Sequence, residues 1–161
     1  MAEACNFVFD ELEPGQRASY TRTIDFRHIQ LFAAATGDVN PVHLDAAYAA
    51  TTAFGEPIAH GMLTGGLVSA ALALVLPGPG TVYLSQSLRF RAPVHVGDRI
   101  TVELTVTDKN PRRQWVTLDC RAVNQHGKVV TQGSAEVIAP ARKLSLELPP
   151  EPAVTLAGET P

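Results

Sequence analysis

Apolar residues recur in two different rhythms along this chain, and the rhythm changes near residue 80. Before that point, Phe26, Ile29, Leu31, Phe32 and Ala35 repeat at helical spacing. They predict a helix over Asp25 to Ala35, with Asp25 near its N-cap and Gly37 ending it. A short strand over Ser19 to Ile24 precedes it, and a short second helix is expected over Asp45 to Thr52. Ile58 to Leu76 then runs without a single Asp, Glu, Lys or Arg, and predicts a long helix from about His60 to Leu76. After Pro77-Gly78-Pro79 the period becomes two. Val82, Leu84, Leu88 and Phe90 share one parity; Ile100, Val102, Leu104 and Val106 repeat it; Val116, Leu118, Cys120 and Ala122 make a third set. Pro93 and Gly97-Asp98 punctuate the first pair of strands, and Asn110-Pro111-Arg112-Arg113 makes the next loop. Asn124-Gln125-His126-Gly127 predicts a hairpin turn before a last strand over Lys128 to Ile138.

Four long strands in succession, joined by hairpins, predict an antiparallel sheet with one face in need of cover. Only the apolar run Ile58–Leu76 can supply it, its helix from about His60 to Leu76 being about 25 Å long by the helical rise. The expected fold class is therefore α+β: one domain over residues 1–140, an antiparallel sheet wrapped around a long central helix. Residues 141–161 follow as a polar, Pro-rich tail with no core pattern. Gly65-Gly66 costs the helix about 1 kcal/mol per glycine. Close approach of helix to sheet would offset that. The same segment is about the length of a bilayer span. His60, Thr64 and Ser69 within it, and the lack of Lys or Arg at its ends, favour a core helix over a membrane helix.

Composition narrows the function classes. The chain has 161 residues, 45% apolar and 18% charged, with a formal net charge of -3. That suits one soluble domain, and no basic run interleaved with aromatics points to nucleic acid. Cys5 and Cys120 have neither the count nor the spacing of a metal site or a disulfide framework. Cys120 falls on the apolar parity of its strand and is expected as an inert buried thiol. The N-terminus lacks a basic region followed by an apolar one, so no secretory signal is expected and the location reads as cytoplasmic.

Two short segments carry candidate chemistry. Thr36-Gly37-Asp38-Val39-Asn40-Pro41-Val42-His43-Leu44-Asp45 sets a carboxylate and an imidazole five residues apart across a turn. Pro57-Ile58-Ala59-His60-Gly61-Met62 puts a His-Gly pair at the start of the apolar helix, where unpaired N–H groups can polarise a carbonyl oxygen. Proton transfer beside an activated carbonyl follows from the pair. Each residue also has a plainer reading. Asp38 can cap a turn, His43 can be a satisfied helix-start histidine, and Ser69 can bond back to the Gly65 carbonyl. Asp38, His43, Asp45 and His60 are all metal-ligand types, but their spacing matches no zinc pattern, so no metal is expected. Arg89, Arg91, Lys109, Arg112 and Arg113 can meet phosphates or simply sit in solvent.

Asp38-Val39-Asn40-Pro41-Val42-His43, Ile58-Ala59-His60-Gly61-Met62 and Tyr83-Leu84-Ser85-Gln86-Ser87-Leu88-Arg89-Phe90 resemble the MaoC-like (R)-specific enoyl-CoA hydratases. The similarity runs from about Phe26 to Ile138. A second stretch, Leu118 to Lys128, resembles hydratase domains fused to phosphate acyltransferases, so the chain is either a stand-alone relative or an excised domain. The resemblance implies a hot-dog fold with the Asp/His segment overhanging the central helix. It implies reversible hydration of trans-2-enoyl-CoA to (R)-3-hydroxyacyl-CoA, with no cofactor beyond the CoA of the substrate. Asp38 and His43 would activate the water, and the Gly61 N–H would hold the thioester oxygen. Ser69 would line the site and bond Asp38, with Asn40 and His60 in support. Leu72, one turn beyond Ser69, is a candidate for the acyl tunnel. A homodimer joined through sheet edges is the implied assembly. A carrier-protein dehydratase or thioesterase of the same fold, and a non-catalytic acyl-thioester-binding subunit, are the alternatives. Storage-polyester supply, fatty-acid oxidation and short-acid assimilation all suit such an enzyme.

Overall fold

The computed structural model describes residues 3 to 156. Strand β1 (Glu3–Cys5) and β2 (Arg17–Thr23) lead into helices α1 (Phe26–Thr36), α2 (Pro41–Leu44), α3 (Ala46–Ala50) and α4 (Gly61–Leu74). Strands β3 (Val82–Phe90), β4 (Arg99–Asn110), β5 (Trp115–Val123), β6 (Val129–Ile138) and β7 (Ser145–Glu147) complete the chain. Five strands form one antiparallel sheet in the order β2-β4-β5-β6-β3, and β1 pairs with β7 separately.

Local signals account for most of the elements. The Asp25 carboxylate accepts the His28 N–H at 3.0 Å and caps α1, while Gly37 ends it in the left-handed region at φ 77, its N–H bonded to Ala33 O. Ile100, Val102, Leu104 and Val106 on β4, with Val116, Leu118, Cys120 and Ala122 on β5, are buried as their alternation predicts. They pack under Leu67, Val68, Ala71 and Leu72 of α4. Burial pushes the Cys120 thiol up to about 12, so it stays protonated and inert. Gly65 meets β3: a Cβ there would lie 3.0 Å from the Leu88 side chain. Gly66 faces open space and has no such reason.

Several expectations are revised. The central helix is shorter, 14 residues from Gly61 to Leu74. It starts where expected, after Ile58 and Ala59 pair with the chain at His95 and Val94, and stops two residues early, before Val75, whose N–H still bonds Ala71 O. No described helix is long and apolar enough to cross a membrane. The short helix expected over Asp45 to Thr52 forms as α3, capped by Asp45, and an unexpected one-turn helix, α2, precedes it, capped by Asn40 with Pro41 at its first turn. Asn-Pro here starts a helix rather than merely turning the chain.

Strands β3 and β4 do not pair as a hairpin. The link after Phe90 crosses the sheet end, held by Arg91 N–H on Val130 O and Gly97 N–H on Ile24 O. Strand β3 therefore lies beside β6, and β2 lies beside β4. On this edge the apolar parity fails. A bulge between Tyr83 and Ser85 shifts the register, and Val82, Leu84 and Phe90 are exposed. The β3–β6 contact is tight at Gly133, where a Cβ would lie 1.8 Å from Ser87 O.

The Pro-rich segment is also partly ordered. Ala4 pairs with Leu146, and fully buried Asn6 donates to Pro79 O and Arg142 O and accepts the Leu144 N–H, each at 2.9 Å. Glu151 pairs with Arg22 beside His28. This clasp rests on backbone pairing and one satisfied asparagine, which leave no apolar rhythm to detect.

Candidate active site

Helix α1 ends at Gly37, and the next residues cross over the N-terminus of α4. Asp38 N–H bonds Thr36 Oγ1, and Asp38 Oδ1 accepts the Asn40 N–H at 3.3 Å. Asn40 Oδ1 in turn accepts the Val42 N–H. This ladder of short polar side chains leaves Asp38 exposed at the rim and turns His43 inward, 9% exposed. The His43 Nδ1 must carry its proton, because it bonds a carbonyl, Ile58 O, at 2.8 Å. In the neutral ring that tautomer leaves the lone pair a general base needs on Nε2.

His60 lies beneath, 2% exposed. Its Nε2 donates to the Asp38 backbone carbonyl at 3.0 Å, and its Nδ1 is buried without a partner among the described residues. Its ring stacks on His43, centroids 3.8 Å apart, and packs against Phe32 at 4.8 Å. His60 thus touches both halves of the pair above it: the backbone of Asp38 and the ring of His43.

An Asp38 carboxylate oxygen and one ring nitrogen each of His43 and His60 lie within 4.8 Å of one another. Two hydrogen bonds of about 2.8 Å from one tetrahedral water span about 4.6 Å, which lies inside this limit. Asp45 stands apart, spent on capping α3. His43 Nδ1 and His60 Nε2 already bond carbonyl oxygens, which leaves one nitrogen of each ring beside the Asp38 carboxylate.

Below these groups opens a cavity of about 330 Å³. His43, His60, Gly61, Thr64 and Thr131 line it together with Phe54, Phe90 and Arg91. Gly61 opens α4, so its N–H has no helical partner, and no side chain caps that end. Gly61 and His43 both line the cavity, while Asp38 is not on its lining and joins the site through its cluster with the two histidines.

Residues 10–126 match the family described as the MaoC like domain. The chain belongs to the MaoC-like family. Among its relatives, the (R)-specific enoyl-CoA hydratase of Rhodospirillum rubrum is 46% identical over 83% of this chain and 92% of its own. The unliganded R-hydratase PhaJ1 of Pseudomonas aeruginosa superposes with a TM-score of 0.92 at 55% identity, covering 97% of this chain and all of that one. The (R)-hydratase of Aeromonas caviae involved in PHA biosynthesis superposes at 0.78 with 45% identity, over 80% of this chain and 98% of its own. These likenesses make the fold a MaoC-like hot dog, the expected α+β architecture.

Set beside the expectations from sequence, Asp38, His43, His60 and Gly61 come together, and Asn40 acts through the cap that seats His43. Ser69 does not join them. It lies on an exposed face of α4 and makes no side-chain hydrogen bond among the described residues, so the expected bond to Asp38 does not form. A helix turns about 100° per residue, and two turns on, Ser69 shares the outer stripe of Met62 and Gly66. Leu72 is fully buried in the core and does not line the cavity. Gln86 bonds its own sheet, through Nε2 to Ser87 O and Ser134 O. Of the five candidate cations, Arg91 lines the cavity. Lys109 sits over Phe9 and donates to Leu12 O, and Arg113 covers Trp115. Sequence reasoning missed Thr64, Thr131, Phe54 and Phe90 as cavity residues. Thr64 carries a faint signal, a hydroxyl in an uncharged helix; the others carry none.

Proposed function

We propose that one water, held between Asp38 and His43, adds syn across the double bond of a trans-2-enoyl-CoA to give the (R)-3-hydroxyacyl-CoA, reversibly. The protein is an enzyme, an (R)-specific enoyl-CoA hydratase. The single observation carrying the mechanism is the 4.8 Å cluster of carboxylate and imidazole nitrogens above the free Gly61 N–H.

The steps follow from that geometry. The thioester carbonyl oxygen docks on the Gly61 N–H. The water gives a proton to the base while its oxygen bonds the β-carbon. Double-bond electrons move onto the thioester oxygen, where the helix mouth stabilises the charge. The electrons then return, and the acid just formed, His43 or Asp38, delivers its proton to the α-carbon from the same face. General acid–base groups contribute about 10²–10⁴-fold each, and one oxyanion donor about 3–4 kcal/mol. No step needs a cofactor or a metal, because only protons and one water oxygen move. Arg91 at the cavity lining supplies a cation for the CoA end of the substrate.

The working unit in this reading is a homodimer. Among the described residues, strand β3 pairs with β6 alone and has no partner on its other edge, and Val82, Tyr83 and Leu84 on β3 and Met62 on α4 are exposed. Pairing two such edges would satisfy the backbone and bury these side chains. Exposed free Cys5 agrees with a reducing, cytoplasmic setting.

The test is hydration of crotonyl-CoA, followed through loss of the conjugated thioester absorbance, with chiral analysis of the product. Formation of the (S) alcohol, or no hydration by folded protein, overturns the reading. CoA release from a saturated thioester would instead identify a thioesterase, whose water must reach the carbonyl carbon. Activity confined to acyl-carrier-protein thioesters would identify the carrier-protein dehydratase.

A further inference from the structure

Two buried threonines join the helix mouth to the sheet. Thr64 on α4 is 2% exposed and Thr131 on β6 is 1% exposed, and both line the cavity. Thr64 Oγ1 lies 2.6 Å from Gly61 O and 2.8 Å from Thr131 Oγ1. The direction of these bonds is fixed. A carbonyl can only accept, so the one hydroxyl proton of Thr64 goes to Gly61 O. The proton between the threonines must then come from Thr131. The chain runs Thr131 O–H to Thr64 O–H to the Gly61 carbonyl.

We propose that this chain positions and polarises the oxyanion site, making Thr64 and Thr131 positioning residues for the hydration reaction. The inference rests on the reading of Gly61 as the oxyanion donor. Gly61 has no Cβ and sits at a helix end, where backbone is free to rotate. Anchoring its carbonyl to β6 through two hydroxyls sets the first peptide planes of α4 relative to the sheet. Successive hydrogen bonds also polarise one another. The Gly61 carbonyl shares its amide with the Met62 N–H, the next donor of the first turn, so the hydrogen bond that oxygen accepts strengthens Met62 N–H beside the Gly61 donor. β6 also carries the partner of Phe90 at Thr131, so the strand that shapes the cavity wall also anchors its donor.

The test compares Thr131→Val, which keeps the shape and removes the hydroxyl, with Thr131→Ser, which restores it. Crotonyl-CoA kinetics are measured alongside difference infrared spectra of bound butyryl-CoA, a saturated thioester that cannot be hydrated. Thr131→Val should lower kcat by about 3- to 10-fold, the worth of one net hydrogen bond. KM should stay within about 2-fold, and the shift of the bound thioester carbonyl band should shrink. Thr131→Ser should recover both. Should Thr131→Val fail to fold, Thr64→Val breaks the same chain at its middle, with Thr64→Ser as the rescue. Unchanged kcat, a lower kcat with the carbonyl shift intact, or a serine variant as impaired as valine overturns the proposal. A wild-type complex with no carbonyl shift at all overturns the Gly61 reading itself, a distinguishable result.

Discussion

Replacing Asp38 by Asn separates chemistry from folding at this site. The amide keeps the size of the carboxylate and, through its oxygen, the bond from the Asn40 N–H. It loses the charge and the ability to take a proton from water. Asp38 is exposed and makes no ion pair among the described residues, so the fold has little to lose. Stability should change by less than about 0.5 kcal/mol, the usual range for a surface substitution. The reaction should lose about 10²–10⁴-fold in kcat, the contribution of a general acid–base group, or about 3–5 kcal/mol of barrier. Affinity for butyryl-CoA should hold within about 3-fold, because the Gly61 donor and the cavity wall are untouched. Crotonyl-CoA hydration, thermal unfolding and butyryl-CoA titration read the three quantities. A variant that retains a tenth or more of wild-type kcat while folded refutes the role of the carboxylate. So does a loss of kcat matched by an equal loss of ligand affinity.

Three further predictions come from the packing. Gly133→Ala should cost about 3 kcal/mol or more in urea unfolding, since its Cβ would lie 1.8 Å from Ser87 O, a backbone atom that cannot move without breaking the β3–β6 register; a change under 1 kcal/mol would show that this approach is looser than it looks. Arg22, through its hydrogen bond first, holds the Glu151 carboxyl below its ordinary value of 4.5, so the contact is present above that value and lost as pH falls through the lowered one. Glu151→Gln should therefore speed proteolysis of the segment after β7 at neutral pH to the rate the parent protein shows in acid, and equal neutral rates would dismiss the clasp. Leu72→Ala should cost about 2–5 kcal/mol as a core truncation and leave the ratio of activity on longer enoyl-CoA thioesters to crotonyl-CoA unchanged, because Leu72 does not line the cavity; a ratio raised towards longer chains would put Leu72 in the acyl path after all.

What sequence alone determines here is local. Alternation on β4 and β5, the Asp25 and Gly37 caps and the uncharged run into α4 each depend on residues a few positions apart, so their meaning survives without a fold. The spacing of Asp38 and His43 belongs to the same class, because the turn and the Asn40 cap that orient them lie within the segment. Tertiary structure decides everything that needs a partner from a distant strand. Which strand lies beside β3, which face of α4 Ser69 takes, and whether residues after Pro140 pair with β1 all depend on contacts far apart in sequence. Hydrophobic rhythm shows that a strand has a buried face but never which strand lies beside it. The stacked histidines and the Thr131–Thr64–Gly61 chain are extreme cases. Each polar group in them is ordinary in sequence, and burial next to one particular partner is what makes it part of the site.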